Sequence, residues 1–123
     1  MSQDVVSDIL NEIMNAIRSG KTDIVVRRYS KLLIKVLEIM KRYDYVDFKL
    51  EDEKLTINIK NLSECKSIKP RYSVDKKSIG KYTQRFLPAR NFGYVILSTN
   101  KGLMTQEEAQ ESKIGGSLIA YFF

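Results

Sequence analysis

The 123 residues carry 21 Lys and Arg against 15 Asp and Glu, a formal net charge of +6, with 43% apolar residues, one cysteine and no His or Trp. Without imidazole there is no Ser-His-Asp or Cys-His catalysis and no His-ligated zinc, and the lone Cys65 can form neither an internal disulfide nor a multi-cysteine metal site, so no metal or cofactor is expected. The length suits one compact domain or two small halves, no apolar run approaches the roughly 20 residues of a membrane span, and the start MSQDVVSD is acidic where a leader would be basic; a cytoplasmic chain with no membrane partner is expected.

Between Asp4 and Arg18, the residues Val5, Val6, Ile9, Leu10, Ile13, Met14 and Ile17 recur at three- and four-residue spacing, one apolar stripe on a helix that Gly20 stops. The β-branched run Asp23 to Arg28 reads as a strand. Ser30 can cap a second helix carrying Leu32, Leu33, Val36, Leu37 and Met40 and ending near Tyr43. Tyr45 to Leu50 and Leu55 to Ile59 alternate apolar with polar around the charged tetrapeptide EDEK, which predicts a hairpin. The front half is therefore αβαββ.

Beyond Asn61 the periodicity fades and both prolines, Pro70 and Pro88, appear, so a boundary is placed there: residues 1–61 form an N-terminal αβαββ lobe and 62–123 a β-rich C-terminal lobe with one or two short helices. A short helix is expected between Asp75 and Phe86. Tyr94 to Leu97, continuing into Ser98 and Thr99, is a strand apolar enough to be buried on both faces. Thr105-Gln106-Glu107-Glu108 is a capping box that opens a short helix closing before Gly115-Gly116. Ser117 to Phe123 reads as a terminal strand, and the whole as an α+β chain of two small lobes.

The charge is unevenly placed. Residues 60–93 hold nine basic groups against Glu64 and Asp75, whereas residues 94–123 hold two basic and three acidic groups. Basic side chains interleaved with Tyr72, Tyr82, Phe86 and Phe92 suit a polyanion-binding surface, and equally a solvated loop. The carboxylate pairs Glu51 with Glu53 and Glu107 with Glu108 fall in a hairpin turn and a helix N-terminus, where they are structural. No Gly-rich phosphate loop or nucleophile elbow is present, so no enzyme is expected.

The segment Ser98-Thr99-Asn100-Lys101-Gly102 offers three small polar side chains, one charge and one glycine where a buried strand emerges. Those groups suit the shallow minor groove of an RNA helix, with its 2′-hydroxyls and base edges; the same residues would also make an ordinary strand-to-helix turn. Gly115-Gly116 is open in the same way, between a helix C-cap and a close approach of backbone to backbone.

From LPARNFGYVILSTNKGLMTQEEA through IGGSLIAYFF the chain closely resembles the small-subunit ribosomal protein eight family in its archaeal and eukaryotic form, and the resemblance extends upstream through CKSIKPRY, the Ser30-Lys31 pair and the Asp8 to Asn15 helix. It implies a two-lobed RNA-binding protein without enzymatic activity. Such a protein is a structural constituent of the small ribosomal subunit, binding the central domain of its ribosomal RNA early in assembly, monomeric in the ribosome beside neighbouring ribosomal proteins. By position, the resemblance assigns RNA contacts to Ser98, Thr99, Asn100, Lys101 and Gly102 with Gly115 and Gly116 nearby. It assigns a second RNA element to Asp8, Asn15, Ser30 and Lys31, and Arg71, Arg90 and Asn91 join as basic or polar members of matching motifs. It also implies a cytoplasmic subunit protein, nucleolar during assembly if eukaryotic. A free-standing regulator recognising a ribosomal-RNA-like helix in messenger RNA would use the same surface. The chain departs from the family pattern at Arg28, where proline is common, at the Tyr43 to Asp47 corner, in a shorter following hairpin, and at Gln106, where relatives carry histidine.

Overall fold

The computed structural model describes residues 5–69, 71, 73–88 and 92–123, and the chain divides into two compact units, Met1–Lys66 and Ser67–Phe123. Both are α+β, as the sequence predicts.

In the first unit α1 (Val5–Arg18) buries Val6, Ile9, Leu10, Ile13 and Ala16. It closes in a Schellman turn in which Lys21 N–H reaches the Ala16 carbonyl and Gly20 N–H that of Ile17, with Gly20 at φ 76. The strand β1 (Asp23–Val26) leads to α2 (Lys31–Arg42), whose buried residues are Leu33, Val36, Leu37, Ile39 and Met40. A hairpin of β2 (Val46–Glu51) and β3 (Lys54–Ile59) completes an antiparallel sheet in the order β1-β3-β2. Its two turn residues, Asp52 and Glu53, both take positive φ, the left-handed pattern that matches the twist of hairpin strands. The register pairs Leu55 with Val26 and Leu50 and pairs Ile57 with Ile24 and Phe48, so one face of the sheet is apolar and faces the helices.

Cys65, 1% exposed, is locked into this unit: its N–H points to Met14 Sδ at 3.2 Å and its thiol to the Leu10 carbonyl at 3.6 Å. Burial, helped by the neighbouring Glu64 charge, pushes the thiol up to about 12 from an ordinary 9.0. The folded chain therefore keeps a proton that the unfolded chain loses above pH 9, and stability that is complete below pH 9 is lost as pH rises towards 12. The loss should run at about 1.4 kcal/mol per pH unit. Urea denaturation of wild type and Cys65→Val at pH 8 and pH 11 checks this: wild type should lose about 2.6 kcal/mol more than the variant over that interval.

The second sheet is five-stranded, in the order β4-β8-β6-β7 with β5 also on β8. Its strands are β4 (Cys65–Ser67), β5 (Ser73–Val74), β6 (Tyr94–Thr99), β7 (Gly102–Thr105) and β8 (Gly116–Phe122), with α3 (Ile79–Phe86) and α4 (Gln106–Ser112) between them. Val95 and Leu97 of β6 and Leu118 of β8 share a core with Ile79 of α3 and Ala109 of α4. Ile96, on the opposite face of β6, is also buried, so this strand is covered on both sides as its composition predicts. The capping box forms as read: Thr105 Oγ1 accepts from Glu108 N–H at 3.4 Å, and Glu108 Oε1 accepts from Thr105 N–H at 3.2 Å.

Between β6 and β8 the register slips by one residue. Ile96 pairs with Ala120 but Leu97 pairs with Leu118, so Ile119 is an extra residue in a β-bulge. The Ile119 carbonyl is used on the other side of β8, where it accepts from Ile68 N–H at 2.9 Å. The slip lets Leu118 and Tyr121 face the same core and brings Ser117, rather than Leu118, opposite Ser98.

Candidate nucleic-acid interface

The segment Ser98 to Gly102 is a hairpin between β6 and β7, not a turn from strand into helix. Thr99 pairs with Gly102, and Asn100 and Lys101 form the tip. Gly102 sits at φ 105, where a Cβ would meet no neighbouring atom but would be conformationally strained.

Thr99 locks the tip from within. Its hydroxyl accepts from Lys101 N–H at 3.1 Å and donates to the Gly102 carbonyl at 2.8 Å, so its only proton is committed. The Ser98 hydroxyl and the Asn100 amide make no hydrogen bond among the described residues, and both side chains are exposed. Within the hairpin, reading capacity therefore lies with Ser98 and Asn100, and Lys101 supplies the only charge of residues 94–105.

Directly opposed residues of an antiparallel pair point to the same face of the sheet. Ser98 lies opposite Ser117, and Ser117 opposite Ser73, so three hydroxyls form a row across β6, β8 and β5. Ser117 Oγ and Ser73 Oγ stand 3.5 Å apart. Neither Ser73 nor Ser117 is marked by the sequence, because the row exists only once the bulge and two long-range registers are set. α3 and α4 cover the other face, beside Val95 and Leu97. The row is short, hydroxyl-rich and nearly uncharged, which fits it to 2′-hydroxyls and base edges better than to phosphates.

The double glycine builds this face. A Cβ on Gly115 would run into the Val74 carbonyl and lie 2.8 Å from Asp75 Cα, and one on Gly116 would run into the Ser98 carbonyl. Neither glycine has positive φ; what they supply is room for β8 to lie against β5 and β6. The helix C-cap is Lys113, at φ 57 and ψ 44, so the close approach rather than the C-cap accounts for Gly115-Gly116.

Positive charge lies elsewhere in the second unit. Lys76, Lys77, Lys81 and Arg85 fall on and just before α3, with Arg85 over the Tyr82 ring at 5.2 Å. Asp75, the one acid there, accepts from Ser78, which lowers its carboxyl below its ordinary value. Arg71 is exposed two residues before Ser73, while Arg90, Asn91 and Tyr72 lie outside the described residues. Among the described residues no group of three or more His, Cys, Asp or Glu is placed to hold a metal, and no helix is long and apolar enough to cross a membrane.

Of the candidates in the first unit, Asp8 on α1 pairs with Arg28 at 3.2 Å, both partly exposed. Asn15 is exposed two turns further along the same helix. Ser30 caps α2, its hydroxyl accepting from Leu33 N–H at 3.1 Å while its own proton stays available, and Lys31 opens the helix.

The family model described as "Ribosomal protein S8" matches residues 4–123. The chain is 43% identical to the small ribosomal subunit protein uS8 of Nanoarchaeum equitans and 40% identical to that of Thermoplasma acidophilum, each over the full length of both chains. It is 37% identical to that of Neurospora crassa, covering 97% of this chain and 96% of the relative.

Proposed function

Because the chain belongs to the ribosomal protein S8 family, we propose that it is a structural constituent of the small ribosomal subunit that binds the central domain of small-subunit ribosomal RNA and supports subunit assembly. It is not an enzyme. It works in the cytoplasmic ribosome beside ribosomal RNA and neighbouring ribosomal proteins, with assembly in the nucleolus if the source is eukaryotic. The observation that carries the RNA reading is the row Ser98-Ser117-Ser73 ending at the Asn100-Lys101 tip. In this proposal the C-terminal lobe, residues 62–123, discriminates one irregular helix, with Gly115 and Gly116 allowing close packing of β8, Gly102 supplying the positive φ of the hairpin and Thr99 fixing the tip. Lys76, Lys77, Arg71, Arg90 and Asn91 add attraction, and the N-terminal lobe, residues 1–61, meets a second RNA element through Asp8, Asn15, Ser30 and Lys31.

Crosslinking the purified chain within small subunits and mapping the adduct tests the placement; an adduct outside the central domain, or a chain found only in ribosome-free fractions, overturns it. On the mapped helix Ser98→Ala should cost about 1 to 3 kcal/mol, because groups desolvated on binding lose their partner, while a scrambled hairpin binds as before. Lys76→Gln with Lys77→Gln should instead weaken both RNAs alike and flatten the salt dependence by about one unit for each phosphate the lysines had neutralised. Equal binding of both RNAs by wild type and Ser98→Ala would remove Ser98 from the site.

A further inference from the structure

Tyr29, on the chain entering α2, is 40% exposed, and with Ser30, Lys31, Ile34, Lys35 and Glu38 it lines an open groove of about 280 Å³. The apolar surface available there is the Tyr29 ring, Ile34 and the aliphatic stems of the lysines. Lys31 and Lys35 stand one helical turn apart, a spacing at which like charges repel. Neither makes an ion pair among the described residues. An exposed aromatic ring beside two lysines held in no ion pair is the combination that single-stranded nucleic acid requires: a flat face for a base and charge for its phosphate.

We propose that this groove takes one unpaired nucleotide of RNA, its base against the Tyr29 ring and its phosphate between Lys31 and Lys35. The proposal rests on the RNA-binding reading above and adds that the first unit takes a looped-out nucleotide. The groove is at the small end of ligand sites, sized for one ring system and not for a partner helix. Glu38 gives it polarity: a carboxylate repels the phosphate from that end and accepts from the exocyclic amino group of a base. Adenine, which carries such a group on a broad purine face, is the probe chosen.

The full-length chain is titrated at low salt with a labelled hexaadenylate and with an oligomer of the same length lacking its bases. Wild type should bind the adenylate at least about five-fold more tightly. Tyr29→Ala should abolish most of that preference while leaving the abasic oligomer's Kd unchanged, and Tyr29→Phe should retain it. Lys31→Gln with Lys35→Gln should weaken both oligomers by the same factor and lower the salt slope by roughly 0.7 for each phosphate the two lysines had neutralised. A Tyr29→Ala chain that binds both oligomers as wild type does overturns the proposal. Co-sedimentation with small subunits separates the two failures: wild type that does not co-sediment sinks the ribosomal reading. Wild type that co-sediments, with an oligomer preference indifferent to Tyr29, sinks only the groove. Loss of co-sedimentation by Tyr29→Ala without any change in oligomer binding would put a protein side chain in the groove and also overturns the nucleotide.

Discussion

Gly115→Ala and Gly116→Ala are each expected to lower the free energy of unfolding by about 2 to 3 kcal/mol, a large share of the 5 to 15 kcal/mol typical of a domain. The added methyl meets backbone in both cases: Val74 and Asp75 for Gly115, Ser98 for Gly116. A flexible side chain could swing aside, but a paired strand cannot, so β8 must part from β5 in one variant and from β6 in the other. Urea denaturation followed by far-ultraviolet circular dichroism measures the loss. Gly102→Ala is the control, since its Cβ meets nothing and its cost of about 1 to 2 kcal/mol is purely conformational. The two glycine variants should also differ in function. Gly116→Ala displaces the Ser98 backbone and should weaken binding to the cognate helix under conditions where the chain is still folded. Gly115→Ala acts on the Ser73 end of the row and should weaken it less. Wild-type stability in both variants would contradict the packing described for β8.

Gln106→Ala should cost about 3 to 4 kcal/mol. The side chain is 5% exposed, and it accepts from Val95 N–H at 2.7 Å and donates to the Gly93 carbonyl at 3.3 Å. Truncation leaves a buried donor and a buried acceptor unpaired at the start of β6, each worth about 1 to 3 kcal/mol, and adds a cavity. Gln106→Leu fills the space without restoring either bond and should recover only the cavity part. Gln106→His, the residue the family pattern carries there, can accept with one ring nitrogen and donate with the other, so it should recover part of the loss at pH 8. It should lose that gain near pH 5, where an imidazolium can only donate. The amide makes both bonds at either pH, so wild type should show no such difference. Thermal melts at the two pH values distinguish the series.

The elements visible in the sequence are those set by local rules. The stripe of α1, the Ser30 cap, the β2-β3 hairpin and the Thr105-Glu108 box each depend on residues within a turn or two of one another. The elements that escaped it are short and fixed from afar. β7 is four residues running from a turn glycine to a helix cap, too short to show alternation, and β5 is two residues paired with β8. The same distinction divides the candidate site. The Ser98 to Gly102 segment is conspicuous because its polar residues are consecutive, whereas Ser73 and Ser117 become partners only through a pairing 44 residues apart in the chain, and Ser117 meets Ser98 only through a one-residue bulge. Thr99 illustrates the converse: its composition suits recognition, and its geometry spends it on the turn.

The order β4-β8-β6-β7 has a consequence for synthesis. β8 follows in sequence every strand it pairs with, so none of its pairings with β4, β5 or β6 can form until residues 116–122 have been made. The first unit's sheet closes within residues 23–59 and is under no such constraint. On a translating ribosome the N-terminal unit can therefore fold early, while in the second the β6-β7 hairpin can pair but β4 and β5 wait for their partner β8. The serine row comes into being only when that last strand is in place.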